Sequence, residues 1–184
     1  MSDPNDLAAF LHLAWQHIQR GSADSRHPAR YPTFGTVSPD GKPQLRTVAL
    51  RRAQRSDGIV EVHTDIVTPK VTALRKNPHA SLHIWVPRAD LQIRMNARVE
   101  ILTGPAVQAE WEKVPEASCI SYGTLPDPGT PIDHVHAYEK PPNRNRFAVL
   151  RCHLTDLDLV QLGEKHRRAL YKARDDWAGT WTAP

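Results

Sequence analysis

The chain is short of most features that would announce a function. It has only two cysteines, Cys119 and Cys152, in 184 residues, which is too few for a disulfide framework, so stability must come from an apolar core and a reducing compartment is expected. No apolar run approaches the length needed to span a bilayer. The opening MSDPNDLAAF carries acids where a secretory signal would carry basic residues. A cytoplasmic protein without membrane contact is the expectation. Charge is not gathered in blocks either: 24 Lys and Arg against 20 Asp and Glu leave +4, spread along the chain. That mild excess suits small anionic ligands. Single-stranded nucleic acid would call for aromatics interleaved with basic residues on one face, and no such platform is present, so no nucleic-acid partner is expected. The ten histidines include no HExxH and no Cys-His pattern, and His134 and His136 fall in a polar stretch, so no metal site is expected. Cys119 has no motif that would make it a nucleophile.

What is present is punctuation. Sixteen prolines and nine glycines imply many connections, as in a fold of short strands. The length suits a single domain over 1–184. Within it, 1–21 reads as an amphipathic helix capped by Asp3 or Asn5, with Leu7, Phe10, Leu11, Ala14, Trp15 and Ile18 at helical spacing and Gly21 as its stop. PTFGTV (32–37), the SPDGK turn and PQLRTVALR (43–51) read as a hairpin, and IVEVHT (59–64) as a third strand. ASLHIWV (80–86) and LQIRMNARVEIL (91–102) follow. In the latter Leu91, Ile93, Met95, Ala97, Val99 and Ile101 alternate with polar residues, so one face is core and the other is available. On that polar face Arg94 and Arg98 are expected to be solvated. A short helix over 105–113, a long Gly/Pro-rich loop over 123–145, and strands over 147–154, 157–162 and 166–174 complete the reading. Trp177 and Trp181 are expected to pack or to form dimer contacts rather than to stack on a ligand. Six to eight antiparallel strands with peripheral helices close most easily into a small barrel, a mainly β fold.

One stretch suggests a ligand. In TDIVTPKVTALRKNP (64–78), Thr68 stands at an N-cap and Pro69 at the first helical position, where its missing N–H costs nothing. The free amides and positive dipole end there, with Thr68 and Lys70 nearby, can receive a phosphate. An ordinary capped surface helix is the plainer reading of the same residues.

The ordered set of DG turn, RTVALR, VHTD, TPK, NPHASLHIW and LQIRMNARVE resembles the pyridoxamine 5'-phosphate oxidase-like, FMN-binding split-barrel family from about Pro32 onward. The likeness is to a branch of cyanobacterial-type FMN-binding proteins more than to the vitamin B6 oxidase itself. It implies a split β-barrel and a homodimer with FMN in clefts at the subunit interface. By that resemblance, Arg46, Thr47, Val48 and Ala49 lie beside the flavin, and Arg51 near its ring, where the oxidase has a lysine. His63 and Thr64 fall on an aromatic-threonine pair, Thr68 and Lys70 on phosphate-binding positions, and Gln92 and Arg168 on further flavin contacts. Strand parity points Arg46 and Arg51 to opposite faces, so a bulge or strand end must intervene if both serve one ligand. Pro69 replaces an arginine that grips the phosphate, and Val160 replaces a tryptophan.

The vitamin-specific residues do not carry over. Glu110 and Val114 stand where the oxidase holds its substrate phosphate with a tyrosine and an arginine; only Ser118 agrees. EKHRR (164–168) stands in place of the late arginine-leucine-histidine motif. The implied function is an FMN-dependent oxidoreductase whose substrate is not a phosphorylated B6 vitamer, with Arg51 stabilising negative charge on the reduced ring. The alternative is a flavin-binding carrier without turnover.

Overall fold

The computed structural model describes residues 5–184. Helix α1 (Leu7–Ala23) starts at Asp6, whose carboxylate accepts from the Ala9 amide at 2.9 Å. Asn5 is not the cap, and Asp3 lies outside the described residues. Gly21 does not stop the helix, which runs on to Ala23. Its missing side chain instead lets Ala29 of the following 3-10 turn (Pro28–Arg30) sit against the helix, since a Cβ on Gly21 would lie 2.6 Å from the Ala29 carbonyl carbon.

The rest is one antiparallel sheet of nine strands among the described residues. They are β1 (Thr33–Val37), β2 (Pro43–Thr47), β3 (Leu50–Gln54), β4 (Ile59–Asp65), β5 (His79–Val86), β6 (Leu91–Thr103), β7 (Phe147–Gln161), β8 (Arg167–Lys172) and β9 (Gly179–Thr182). The mainly β expectation holds, but the strands divide differently. PQLRTVALR is two strands: Pro43–Thr47 pairs with β1, while Leu50 onward pairs with β4. The segments 147–154 and 157–162 are one strand, continuous through Thr155-Asp156, with Thr155 as an extra residue opposite the Asn96–Ala97 step of its neighbour β6. Its first half pairs with β4 and its second with β8, so β6 and β7 run through both halves of the structure.

The path runs β2-β1-β5-β6-β7-β4-β3. Its two ends, β2 and β3, are consecutive in sequence, linked by Val48 and Ala49 without pairing to each other, so the barrel is left split at that link. The alternating apolar residues of β6 are buried from Leu91 to Val99 and join Phe34, Leu82, Leu159 and Tyr171 in the core, under Trp15 and Ile18 of α1. Trp181 stacks on Phe10 with ring centroids 5.6 Å apart, and Trp177 packs on the same core. A second cluster of Val107, Tyr122, Phe147 and Val149, with Trp111 against it, lies outside β4. The expected helix over 105–113 is a 3-10 turn (Gly104–Val107) running into α3 (Gln108–Trp111). Helix α2 spans Pro69–Lys76 and α4 spans Glu116–Cys119. No helix among the described residues is long and apolar enough to cross a membrane.

Because Gly21 admits Ala29 so closely, Gly21→Ala should destabilise the fold by about 1–3 kcal/mol, the usual cost of overpacking, against the ordinary helical gain from alanine. Urea unfolding measures this; a variant as stable as the parent would mean the contact relaxes freely.

Candidate functional site

The sheet sorts the candidate residues into three places. At the first, β4 enters α2. Thr68 is the N-cap residue, but its hydroxyl makes no cap bond; it donates to the Asp65 carbonyl at 2.8 Å and lies 3.3 Å from the Thr64 hydroxyl. Lys70 reaches back so that Nζ donates to Thr64 Oγ1 at 2.9 Å. Arg46, on β2, shares a face with Phe34 and Leu82, and its Nη1 donates to the Thr36 hydroxyl at 2.7 Å and the Gln44 carbonyl at 3.0 Å. Arg46 and Lys70 feel each other: the Lys70 ammonium is held below its ordinary range, first by burial and then by the Arg46 charge, with Asp65 opposing. Two half-buried cations beside two hydroxyls, with no carboxylate in ion-pair contact among the described residues, suit an anion with several oxygens.

This corner is built on Asp65. Its carboxylate, 4% exposed, accepts from the Val67 amide at 3.0 Å, the Gly123 amide at 2.9 Å and Arg146 Nε at 2.9 Å. Arg146 Nη1 goes on to Asp127 at 3.0 Å. One buried acid therefore ties the end of β4, the approach to α2 and the loop over 123–145 together.

The second place lies across β4. Since successive residues of a strand face opposite ways, His63 points away from Thr64, edge-on to Phe147 with centroids 4.9 Å apart. Here the chain opens a cavity of about 350 Å³ lined by Arg30, Arg51, His63, Glu110, Ser118 and Tyr122, among others. Arg51 enters it through a bulge: Leu50 pairs with Val62 and Arg52 with Glu61, leaving Arg51 as the extra residue. Both a strand end, at Thr47, and a bulge thus separate Arg46 from Arg51. The His63 imidazole is pulled down to about 4, chiefly by burial and then by the charges of Arg51 and Arg30, so it is neutral near neutrality.

The third place is the open face of the sheet. Thr47, Gln92 and Arg168 are there, with Leu45 73% and Trp85 39% exposed. Arg168 grips the buried Asp158 through Nε at 3.0 Å and Nη2 at 2.9 Å. Arg94 also pairs with Asp158 rather than standing solvated as expected. Val48 and Ala49 form the unpaired link at the split, and the Val48 amide donates to the Pro32 carbonyl at 3.1 Å.

Sequence reasoning passed over Asp65, Arg146 and Arg30. The acids of IVEVHTD, inside an otherwise apolar strand, were the available signal: a buried carboxylate needs partners. Nothing local indicated which.

Residues 11–103 match the family described as pyridoxamine 5'-phosphate oxidase, FMN-binding domain. Among curated proteins, pyridoxine/pyridoxamine 5'-phosphate oxidase 2 of Arabidopsis thaliana is 23% identical over 95 residues, 50% of this chain and 48% of that protein. The chain thus spans about half the length of the curated relative it matches. Among solved structures, a pyridoxamine 5'-phosphate oxidase-related, FMN binding protein from Nostoc punctiforme PCC 73102 superposes with a TM-score of 0.76 at 26% identity, over 100% of both chains. PhzG from Burkholderia lata 383, in complex with tetrahydrophenazine-1-carboxylic acid, gives 0.70 at 19% identity over 99% of this chain and 95% of that one.

Two measurements test the site's electrostatics. Asp65→Asn leaves Arg146 buried with only Asp127, so it should cost roughly 3 kcal/mol, the low end for breaking a buried pair, and speed hydrogen exchange at the Gly123 amide; unchanged exchange would show the loop is held by something else. For His63, the folded pKa lies below the unfolded one, so the unfolded state binds the extra proton first. Stability from this group is full above about 6.5 and falls as pH drops toward about 4. The difference in unfolding free energy between parent and His63→Gln should shrink over that window, and a flat difference would refute it.

Proposed function

This chain belongs to the pyridoxamine 5'-phosphate oxidase, FMN-binding domain family, and from that premise we propose that it binds FMN and acts as a cytoplasmic, FMN-dependent oxidoreductase on a substrate other than a phosphorylated B6 vitamer. The observation that carries this reading is the Arg46–Lys70 pair: two cations drawn into each other's field at partial burial, at the cost recorded in the lowered Lys70 pKa. An anion between them would remove that cost. Thr64 and Thr68 add hydroxyl donors, and the first turn of α2 adds amides. These residues fit the FMN phosphate. Pro69 contributes no donor, so the grip rests on Arg46, Lys70 and the helix end.

FMN, when bound, supplies a ring that accepts a hydride or an electron pair. The chain's part is to hold and tune. The Val48–Ala49 link, whose backbone does not pair across the split, would meet the ring, with Thr47 beside it. Arg51, carried forward by its bulge, lines the cavity with a positive charge that would stabilise negative charge on the reduced ring. His63, neutral, can exchange hydrogen bonds there without adding charge.

Gln92 and Arg168 lie on the open face, away from this corner. In the proposed arrangement they reach flavin from a second copy, the open faces with Leu45 and Trp85 meeting in a homodimer. Glu110 and Val114, lining the cavity with Ser118, offer an acid and a methyl surface in place of donors for a phosphate ester, which supports the altered substrate.

Reconstitution with FMN followed by gel filtration should give a dimer with a near-stoichiometric flavin band, and NAD(P)H should bleach it. Arg46→Ala with Lys70→Ala should weaken FMN at least a hundredfold, two charge-assisted contacts at about 1.5–3 kcal/mol each. Unchanged affinity would place the phosphate elsewhere; a flavin that binds yet is reduced by no donor would leave a carrier.

A further inference from the structure

The connector between α1 and β1 does more than join them. Arg30 closes the 3-10 turn (Pro28–Arg30) and bridges two elements. Its Nη1 donates to the Ser22 carbonyl of α1 at 3.0 Å and to the Leu50 carbonyl of β3 at 2.7 Å, one residue before the Arg51 bulge. Two residues after Arg30, the Pro32 carbonyl accepts from the Val48 amide at 3.1 Å and pins the link at the split. Whatever fixes this turn therefore fixes both attachments.

The turn is fixed by a histidine. His27 is its N-cap, and Nδ1 accepts from the Ala29 amide at 3.2 Å. Asn143 does the same for the 3-10 turn Arg144–Arg146, accepting from the Asn145 amide at 3.0 Å, and its amide oxygen does not titrate. A histidine caps only while the accepting nitrogen carries no proton. The other nitrogen of His27, Nε2, lies 3.3 Å from Nδ1 of His17 on α1, and the half-buried rings stack with centroids 5.4 Å apart. The tautomers are assigned from these partners. Since Nδ1 of His27 accepts, its proton sits on Nε2, which donates to a bare Nδ1 on His17. The chain from His17 through His27 to Ala29 is complete only when both rings are neutral. A proton added to His27 takes Nδ1 and faces the Ala29 N–H, donor against donor. A proton added to His17 faces the Nε2–H of His27, and moving that hydrogen to Nδ1 of His27 again ends the cap.

The surroundings keep the pair neutral near neutrality. Both imidazoles are held below the ordinary histidine range, first by burial; His27 and Arg20 oppose charge on His17, and Arg20 opposes it on His27 while Asp24 favours it there. Arg51 of β3 acts on Arg30 instead, and no charge from β5, which packs on the same turn, acts on either ring among the described residues. Because the folded pKa values lie below the unfolded ones, the unfolded state binds the protons first. The pair's contribution is full above about 6.5 and is lost as pH falls below it.

We propose that His17 and His27 form a proton-operated latch on the flavin site: neutral, they hold the connector that pins the Val48–Ala49 link and braces the Arg51 bulge; protonated, they release it and weaken FMN. His27 is a positioning residue, acting through Arg30 and Pro32. The effect on FMN rests on the flavin reading; the latch itself does not.

Hydrogen exchange and FMN titration of the full chain between about pH 8 and about pH 5 test this with two variants. In the flavin-free parent, protection at the Ala29 and Val48 amides, relative to the amides of β6, should fall about fivefold across that range, the size of one lost N-cap. His27→Asn, which caps without titrating, should hold it flat. His17→Gln sets an amide oxygen opposite His27 Nε2 that accepts from the charged ring as well as from the neutral one, so the fall should move to higher pH. FMN affinity should weaken toward acid about fivefold more in the parent than in His27→Asn. The FMN phosphate, which itself titrates at about pH 6, and His63 are common to both proteins and drop out of that comparison. The same pH course of protection in parent and His27→Asn overturns the latch, and an unmoved transition in His17→Gln does so even if His27→Asn does not fold. A latch that opens while FMN affinity follows one course in both proteins overturns its tie to the site. Protein that binds no FMN at any pH, with protection as expected, sinks the flavin reading and leaves the latch standing.

Discussion

A single buried carboxylate, that of Asp65, organises the functional corner of this protein. Left alone at 4% exposure it would cost several kcal/mol; instead it takes two backbone amides and a guanidinium from three separate segments. Its own carbonyl receives the Thr68 hydroxyl and the Thr68 amide, and the Ile66 amide goes to the Arg146 carbonyl at 2.8 Å. The turn into α2 is thereby fixed at the end of β4, and the loop over 123–145 is anchored by the same atoms. The proposed anion site, made of a helix start, a lysine and a distant strand arginine, would require this order, because its donors come from separate elements.

The second constraint is the shared pair of long strands. β6 and β7 pair over nearly their whole length and pass through both halves of the barrel, so each half is positioned by the same rails. What they cannot do is close the barrel, and the link at Val48 and Ala49 is left with backbone groups unpaired across the split. Unpaired polar backbone at a barrel edge needs water, a ligand or another chain. Arg46, two residues before that link on β2, brings one cation of the proposed anion corner to the same edge.

Much of the fold was legible because it rests on local periodicity. The alternation of Leu91 to Val99, the helical spacing from Leu7 to Ile18 and the Thr68-Pro69 helix start each state their structure within a few residues. The misreadings came where tertiary context overruled a local signal. Thr155-Asp156 looks like a gap between two strands but lies within one, because Thr155 is accommodated as an extra residue opposite the Asn96–Ala97 step of β6. Gly21 looks like a helix stop but is needed for the approach of Ala29. PQLRTVALR has no break in composition, yet its two halves pair with different neighbours. The Asp65–Arg146 pair joins residues 81 apart in the chain, and no pattern within a segment can announce a partner at that distance.

The placement of the cations follows from the most elementary rule of the fold. Because neighbours on a strand face opposite sides, Thr64 and His63 commit β4 to two different tasks: one side meets Arg46 and Lys70, the other Arg51 and Arg30. The bulge at Arg51 matters because regular pairing would otherwise have set Arg51 opposite Glu61, where Arg52 now stands. One extra residue frees its charge and leaves Glu61 satisfied by Arg52 and Arg151. Two sets of cations without carboxylates, divided by one strand, are more than the surface of a stable protein needs. Positive charge held at partial burial without a carboxylate is costly, and at the Arg46–Lys70 corner an anion would remove that cost.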